Sequence, residues 1–213
     1  MGLVFDRLVQ EVKKLQINLN DQQISESFQR IADYLMNKCV LKAGIQNYRI
    51  VEIEFYFHHE KHPDPYVHKH DNQKTLGRWY VHGAGIDITF GTLDFYGGIL
   101  IRGLQRKSDK EFISGPLHVI AEIFHFIGGV DVQEVEFGLR EKEMPYEIIA
   151  QSSRVGLSSN KEGGENFRDK KYRFVSCIGP KHPFKNKKIV ALDLVDKKSI
   201  KEVNTLFGYK IMM

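Results

Sequence analysis

Apolar residues first recur at helical spacing. Leu8, Val12 and Leu15 form one set, and after a capping position at Asn20 or Asp21 the residues Ile24, Phe28, Ile31 and Leu35 form another. Two amphipathic helices therefore open the protein. The period then shortens to two. In RIVEIEFYFHH (49–59), Val51, Ile53 and Phe55 alternate with Glu52, Glu54 and Tyr56, which predicts a strand with one apolar and one polar face. Residues 39–42, 77–82, 85–90 and 97–104 read as further strands, divided by Gly, Pro and Asp turns. Helical spacing returns after Ser114-Gly115-Pro116, with Leu117, Ile120, Ala121 and Phe124 as the apolar face and Gly128-Gly129 as the stop. Residues 148–157, 172–178 and 189–194 read as strands, and 199–207 as a last short helix. The pattern predicts an α+β protein: a single domain over 1–213 whose curved, mostly antiparallel sheet or partial barrel is flanked by helices, with 1–23 as an N-terminal helical extension.

Composition narrows the class. The chain has 213 residues, 42% of them hydrophobic, enough for a real core. No apolar run approaches the roughly 20 residues that span a bilayer, and MGLVFDRLVQEVKK mixes acids and bases as a signal peptide does not. A cytoplasmic protein with no membrane partner is expected, nucleoid-associated if bacterial. Cys39 and Cys177 lie far apart and fit neither a zinc pattern nor a disulfide framework. Net charge is only +4, but residues 168–188 hold eight Lys or Arg against one Asp. Arg168, Lys170, Lys171 and Arg173 are thus candidates for contacting nucleic-acid phosphates, and a solvated loop is the plainer reading.

Five of the nine histidines fall in HHEKHPDPYVHKH (58–70), where Pro63 and Pro65 dictate a loop. The spacings match no zinc motif, so no metal is assigned. His118, Glu122 and His125 share one side of the third helix without the HExxH spacing, and read as a polar face opposite Leu117 and Phe124. The glycines of GAGIDITFG and FYGGILIRG precede strand-like residues, so they mark turns and bulges rather than a nucleotide-binding loop. Glu54 is a solvated strand residue if its face meets water, and a candidate base if that face lines a pocket.

Several blocks in order resemble the 3-methyladenine (alkyladenine) DNA glycosylase family. The stretch IADYLMNKCVLKAGIQNYRIVEIEFYF is similar to the family's helix, short strand and RIVETEAY-like strand, and DPYVH to its DPASH-type loop. GGILIRGL resembles its VLLRAL strand, SGPLHVIAEIF its SGPxxLxxAL helix start, and SSRVGLSSNKEGGENFRDKKYRF its RVGxG segment with the basic strand that follows. The resemblance implies that fold and a DNA base-excision repair enzyme that hydrolyses the N-glycosidic bond of alkylated or deaminated purines. Glu54 matches the carboxylate that activates water, and Arg102 the arginine beneath that water. Tyr56 and His68 match groups that sandwich the extruded base, His82 stands where a second pocket aromatic is usual, and Asp87 replaces a pocket asparagine. Damaged DNA is the implied partner of a monomer with no cofactor and no obligate protein partner, and no Schiff-base lysine is needed. Two departures accompany the match: the hairpin tip His82-Gly83-Ala84-Gly85 lacks a bulky wedge, and residues 1–23 have no counterpart. Alternatives are a hydrolase of single-stranded nucleic acid or nucleosides, and a non-catalytic nucleic-acid- or metal-binding descendant.

Overall fold

The structure, a computed structural model, describes residues 3–17, 20–128 and 134–210. The two opening helices are α1 (Leu3–Ile17) and α2 (Asp21–Asn37), the second capped by Asn20, whose Oδ1 accepts the Gln23 N–H at 2.8 Å. Strands β1 (Cys39–Ala43), β2 (Gln46–His59), β3 (His62–Pro63), β4 (Trp79–His82), β5 (Gly85–Thr89), β6 (Tyr96–Arg106) and β7 (Phe112–Ser114) follow, then helix α3 (Pro116–Ile127). The remainder comprises β8 (Phe137–Glu141), β9 (Ala150–Ser152), α4 (Glu165–Arg168), β10 (Arg173–Val175), α5 (Lys187–Val195) and α6 (Ile200–Phe207). Gly129, half of the expected stop for α3, lies outside the described residues.

These elements make a single α+β domain around one curled antiparallel sheet, in the order β4-β5-β6-β2-β1-β8. The long strand β2 pairs with β6 along one edge and with β1 and then β10 along the other, and β9 extends β10. Helices α1 and α2 cover one sheet face. Leu8, Val12, Leu15, Ile24, Phe28, Ile31 and Leu35 share a core with Ile53, Phe55, Phe57, Phe90 and Phe174, so α1 is part of the domain's core. Phe28 stacks on Phe55 with ring centroids 4.3 Å apart.

The sheet corrects several sequence expectations. A bulge in β2 shifts the pairing: Ile50 faces Leu104, Glu52 faces Gly103 and Ile53 faces Ile101. Strict alternation therefore fails at Val51, and Ile50 joins Ile53, Phe55 and Phe57 in the core instead. Residues 189–194 are helical, not extended. Val190, Ala191 and Leu194 occupy one face of α5 and pack with Ala150, Val175, Phe184 and Phe207 in a second, smaller cluster. The expected strands 148–157 and 172–178 shrink to β9 and β10, because each pairs over only three residues. On α3 the buried positions are Val119 and Ile123, whereas Leu117 and Phe124 are 58% and 57% exposed. Glu122 turns inward rather than to solvent: it accepts from Tyr48 Oη at 2.9 Å and Arg106 Nη2 at 2.6 Å, which the half-buried pair requires.

Candidate active site

Register places four side chains in one row across the sheet. Asp87 on β5 faces Leu100 on β6, Leu100 faces Glu54 on β2, and Glu54 faces Arg173 on β10. Directly paired residues share a face, so this row lies opposite the phenylalanine core. It is the polar face that the β2 alternation predicts, closed at one end and open at the other.

At the closed end Glu54 is fully buried. Its Oε1 accepts the Val155 N–H at 2.7 Å, its Oε2 accepts the Tyr56 hydroxyl at 2.8 Å, and Arg102 Nε lies 3.4 Å away. Arg102 Nε also donates to Glu52 Oε1 at 3.0 Å, and Glu52 takes a second bond from Arg173 Nε at 2.9 Å. Two carboxylates and two guanidiniums thus neutralise one another out of water. Burial pushes the Glu54 carboxyl above its ordinary range, opposed by Arg102, the Val155 N–H and the Tyr56 hydroxyl. Burial opposes the charge on Arg102 as well, and Glu54 and Glu52 outweigh it, so this guanidinium is held above its usual value.

At the open end is a cavity of about 180 Å³. Its walls include Tyr56, Tyr66, His68, Gln73, His82, Asp87 and Leu100, so all four residues matched to a base pocket meet around one space. Glu54 and Arg102 are not among its walls. Glu54 stands one hydrogen bond beneath, reached through the Tyr56 hydroxyl, and Arg102 borders a separate hollow of about 360 Å³ with Glu52, Ser114, His118 and Lys185. The carboxylate that the resemblance matches to the water-activating base is thus sealed under the cavity floor. Burial, with the Glu54 charge adding to it, raises the Tyr56 hydroxyl well above the ordinary tyrosine value and keeps it a donor. Burial lowers His68, and His82 nearby adds to the effect. The rings of His68 and His82 meet edge to face at 4.5 Å.

Asp87 is 2% exposed, and both its oxygens accept: Oδ1 from His82 Nε2 at 3.1 Å and Oδ2 from Gln73 Nε2 at 3.3 Å. Gly98 makes this possible, since a Cβ there would collide with Asp87 Oδ2 and lie 2.9 Å from Gln73 Nε2.

Sequence reasoning missed the frame that holds Tyr56. Arg154 is buried, donates to Asp64 Oδ2 at 2.7 Å and to the Phe55 and Phe167 carbonyls, and lies over the Tyr56 ring at 4.8 Å. Asp64 Oδ1 in turn accepts the Tyr66 N–H at 3.0 Å, so one ion pair ties the DPYVH loop to the RVG loop. Both partners sit inside the segments singled out by resemblance, and that was the available signal. Gln73 gave a weaker one, a capping box with His70 at the start of a short 3-10 turn.

Of the candidate phosphate contacts, Arg168 and Lys171 are exposed beside Asp169 and Asp193, and Lys170 reaches Asp21 at 2.6 Å. Arg173 is set apart from them by full burial on Glu52, with Nη2 on the Lys185 carbonyl at 2.9 Å, so its guanidinium faces no solvent and the exposed row is Arg168 to Lys171. The histidine loop divides: His62 is buried against Phe57 and Phe167, His58 Nδ1 donates to the Asp64 carbonyl, and only His68 of this loop reaches the cavity wall. Among the described residues no group of three His, Cys, Asp or Glu side chains is placed to hold a metal ion, and no helix is long and apolar enough to cross a membrane.

No family model matches the chain. It is 33% identical over 186 residues to an uncharacterized protein of Acanthamoeba polyphaga mimivirus, an alignment covering 70% of this chain and 85% of the relative. The chain belongs to the same family as that viral protein.

Proposed function

We propose that this protein hydrolyses the N-glycosidic bond of damaged purines in DNA, as a divergent protein of the alkyladenine DNA glycosylase type and fold. One observation carries the reading: Tyr56 of β2, His68 of the following loop, and His82 and Asp87 of the β4–β5 hairpin, each matched to a base pocket, line a single cavity above a buried Glu–Arg pair. An extruded base fits such a space, flat side chains beside it and polar groups at its edge.

In this reading Glu54 is the base. Burial strengthens its affinity for a proton, and Arg102, the Val155 N–H and the Tyr56 hydroxyl all face it as donors. Its route to the cavity is Tyr56. A water on the cavity floor passes a proton to Tyr56 Oη while the Tyr56 proton moves to Glu54 Oε2; the water oxygen bonds to the sugar carbon, and the base leaves with the electrons of the broken C–N bond. Arg102, Arg154 and the Val155 N–H are positioning groups. Arg168, Lys170 and Lys171 are offered to backbone phosphates, and added salt would weaken such contacts steeply.

Full burial of Glu54 favours a second reading, a non-catalytic nucleic-acid-binding descendant. Release of hypoxanthine, ethenoadenine or 3-methyladenine from a duplex separates the two. We expect release by the wild type, and a loss of about 10²–10⁴ in rate for Glu54→Gln. Equal release by both proteins removes Glu54 from the chemistry; DNA binding without any release establishes the second reading.

A further inference from the structure

We propose that Tyr66 is a positioning residue that works as a latch: its hydroxyl holds residues 156–163 against the cavity as a lid, and opening of that one hydrogen bond lets a base in and out. The latch stands on geometry alone, and its use as a gate for a base rests on the base-pocket reading above.

The segment 156–163 has the anatomy of a lid. Gly156, Leu157 and Ser158 form part of the cavity wall. Both flanks are fixed: Arg154 is buried on Asp64 and the Val155 N–H donates to Glu54 Oε1 on one side, and Gly164 and Phe167 are buried on the other. Between these anchors Gly156 and Gly163 take left-handed backbone, with φ of +76° and +69°, which suits them as hinges, and residues 158–163 are all exposed. Bonds inside the segment are local: Asn160 N–H to Ser158 Oγ at 3.2 Å, and Gly164 N–H to the Lys161 carbonyl at 2.8 Å. Among the described residues one hydrogen bond ties it to a distant part of the chain, Tyr66 Oη donating to the Ser158 carbonyl at 2.7 Å.

Tyr66 is itself held in place for this. Asp64 Oδ1 accepts its N–H at 3.0 Å, the Arg154 guanidinium lies over its ring at 5.5 Å, and a Cβ on Gly164 would stand 2.3 Å from its hydroxyl, so a side chain at 164 would displace the latch. The DPASH-type loop that DPYVH resembles has alanine at this place, which cannot reach Ser158, so the latch belongs to this chain. A bond of this kind stabilises the closed form equally whether the cavity is empty or filled. Breaking it therefore enlarges the open population, and leaves the grip of the closed cavity on its ligand as it was.

Tyr66→Phe removes the hydroxyl and keeps the ring. Trypsin cleavage of the full folded chain after Lys161, followed by mass spectrometry, should run about three to ten times faster in Tyr66→Phe than in the wild type, the factor that one neutral hydrogen bond supplies, with cleavage elsewhere unchanged. Equal rates after Lys161 overturn the latch, as does a rise shared by every trypsin site, which reports a loosened fold. Stopped-flow fluorescence of free 2-aminopurine tests the gate: association and dissociation should both quicken by that factor, with affinity held within about twofold. Weaker affinity at an unaltered association rate makes Tyr66 a plain wall residue and overturns the gate. If 2-aminopurine binds neither protein, the base-pocket reading and the gate fall together, and the cleavage ratio still decides the latch.

Discussion

At the β10 end of the polar row, Glu52, Glu54, Arg102 and Arg173 hold four charges away from water, each carboxylate answered by a guanidinium. At the β5 end, Asp87 is just as buried, yet it is answered only by an amide and an imidazole, beside an open cavity. Leu100 separates the two ends. The difference separates two uses of a buried charge. In the cluster each carboxylate has a guanidinium partner, while Arg173 Nη1 has no hydrogen-bond partner among the described residues; Asp87 has two hydrogen-bond neighbours, no arginine or lysine, and a place in the cavity wall. Tyr56 connects them, with its hydroxyl on Glu54 and its ring in the cavity wall.

The comparison is broken most forcefully at Glu52. Glu52→Ala leaves the fully buried Arg173 without its carboxylate, and we expect a loss of about 3–5 kcal/mol in urea unfolding. A loss below about 1 kcal/mol would mean that the cluster is not closed as described. Acid should act on the closed end and on the histidine loop alike, since burial lowers the His62 imidazole to about 4 as well. His182 stacks on Phe112 at 4.5 Å, its Nδ1 lies 3.1 Å from the Ser176 carbonyl, and burial lowers it to about 4 despite the Glu52 charge. A folded value below the unfolded one, about 6.5, gives stability that is complete above pH 6.5 and is lost as pH falls toward 4, by up to about 3 kcal/mol. The pH slope of the melting temperature should fall by roughly half in His182→Gln, the rest belonging to His62; a slope unchanged from the wild type places the acid-sensitive group elsewhere. The smallest effect belongs to the open end. Gly98→Ala pushes a methyl group into Asp87 and Gln73, at about 1–3 kcal/mol in thermal unfolding. An unchanged melting temperature in that variant would show that Asp87 and Gln73 do not need their observed positions.

Much of the fold was legible because local pattern and tertiary demand agree. The α1 and α2 stripes and, of the expected alternation, Ile53 and Phe55 reappear in the core, and Asn20 caps α2. Legibility failed where a short apolar run fits two periods. Residues 189–194 satisfy a strand or a helix, and only packing on Val175 and Phe207 selects α5. It failed at Val51, since a bulge is a property of two strands and not of one. On α3 it failed because Glu122 answers Tyr48 and Arg106, which are distant in sequence.

The candidate site divides in the same way. Sequence by itself determined which residues of 49–59 are polar on one strand face, and so named Glu54 and Tyr56, because alternation is local; Arg102 and Asp87 were named only by the resemblance of their blocks. Only the tertiary structure decided that Glu54 is sealed by Tyr56 and Val155, that Arg173 is an internal counter-ion, and that Asp87 has an amide and an imidazole beside it but no arginine or lysine. Each of those depends on which strand lies beside which, and in what register. Burial and charge compensation are set by neighbours brought from far along the chain, and a linear pattern does not record them.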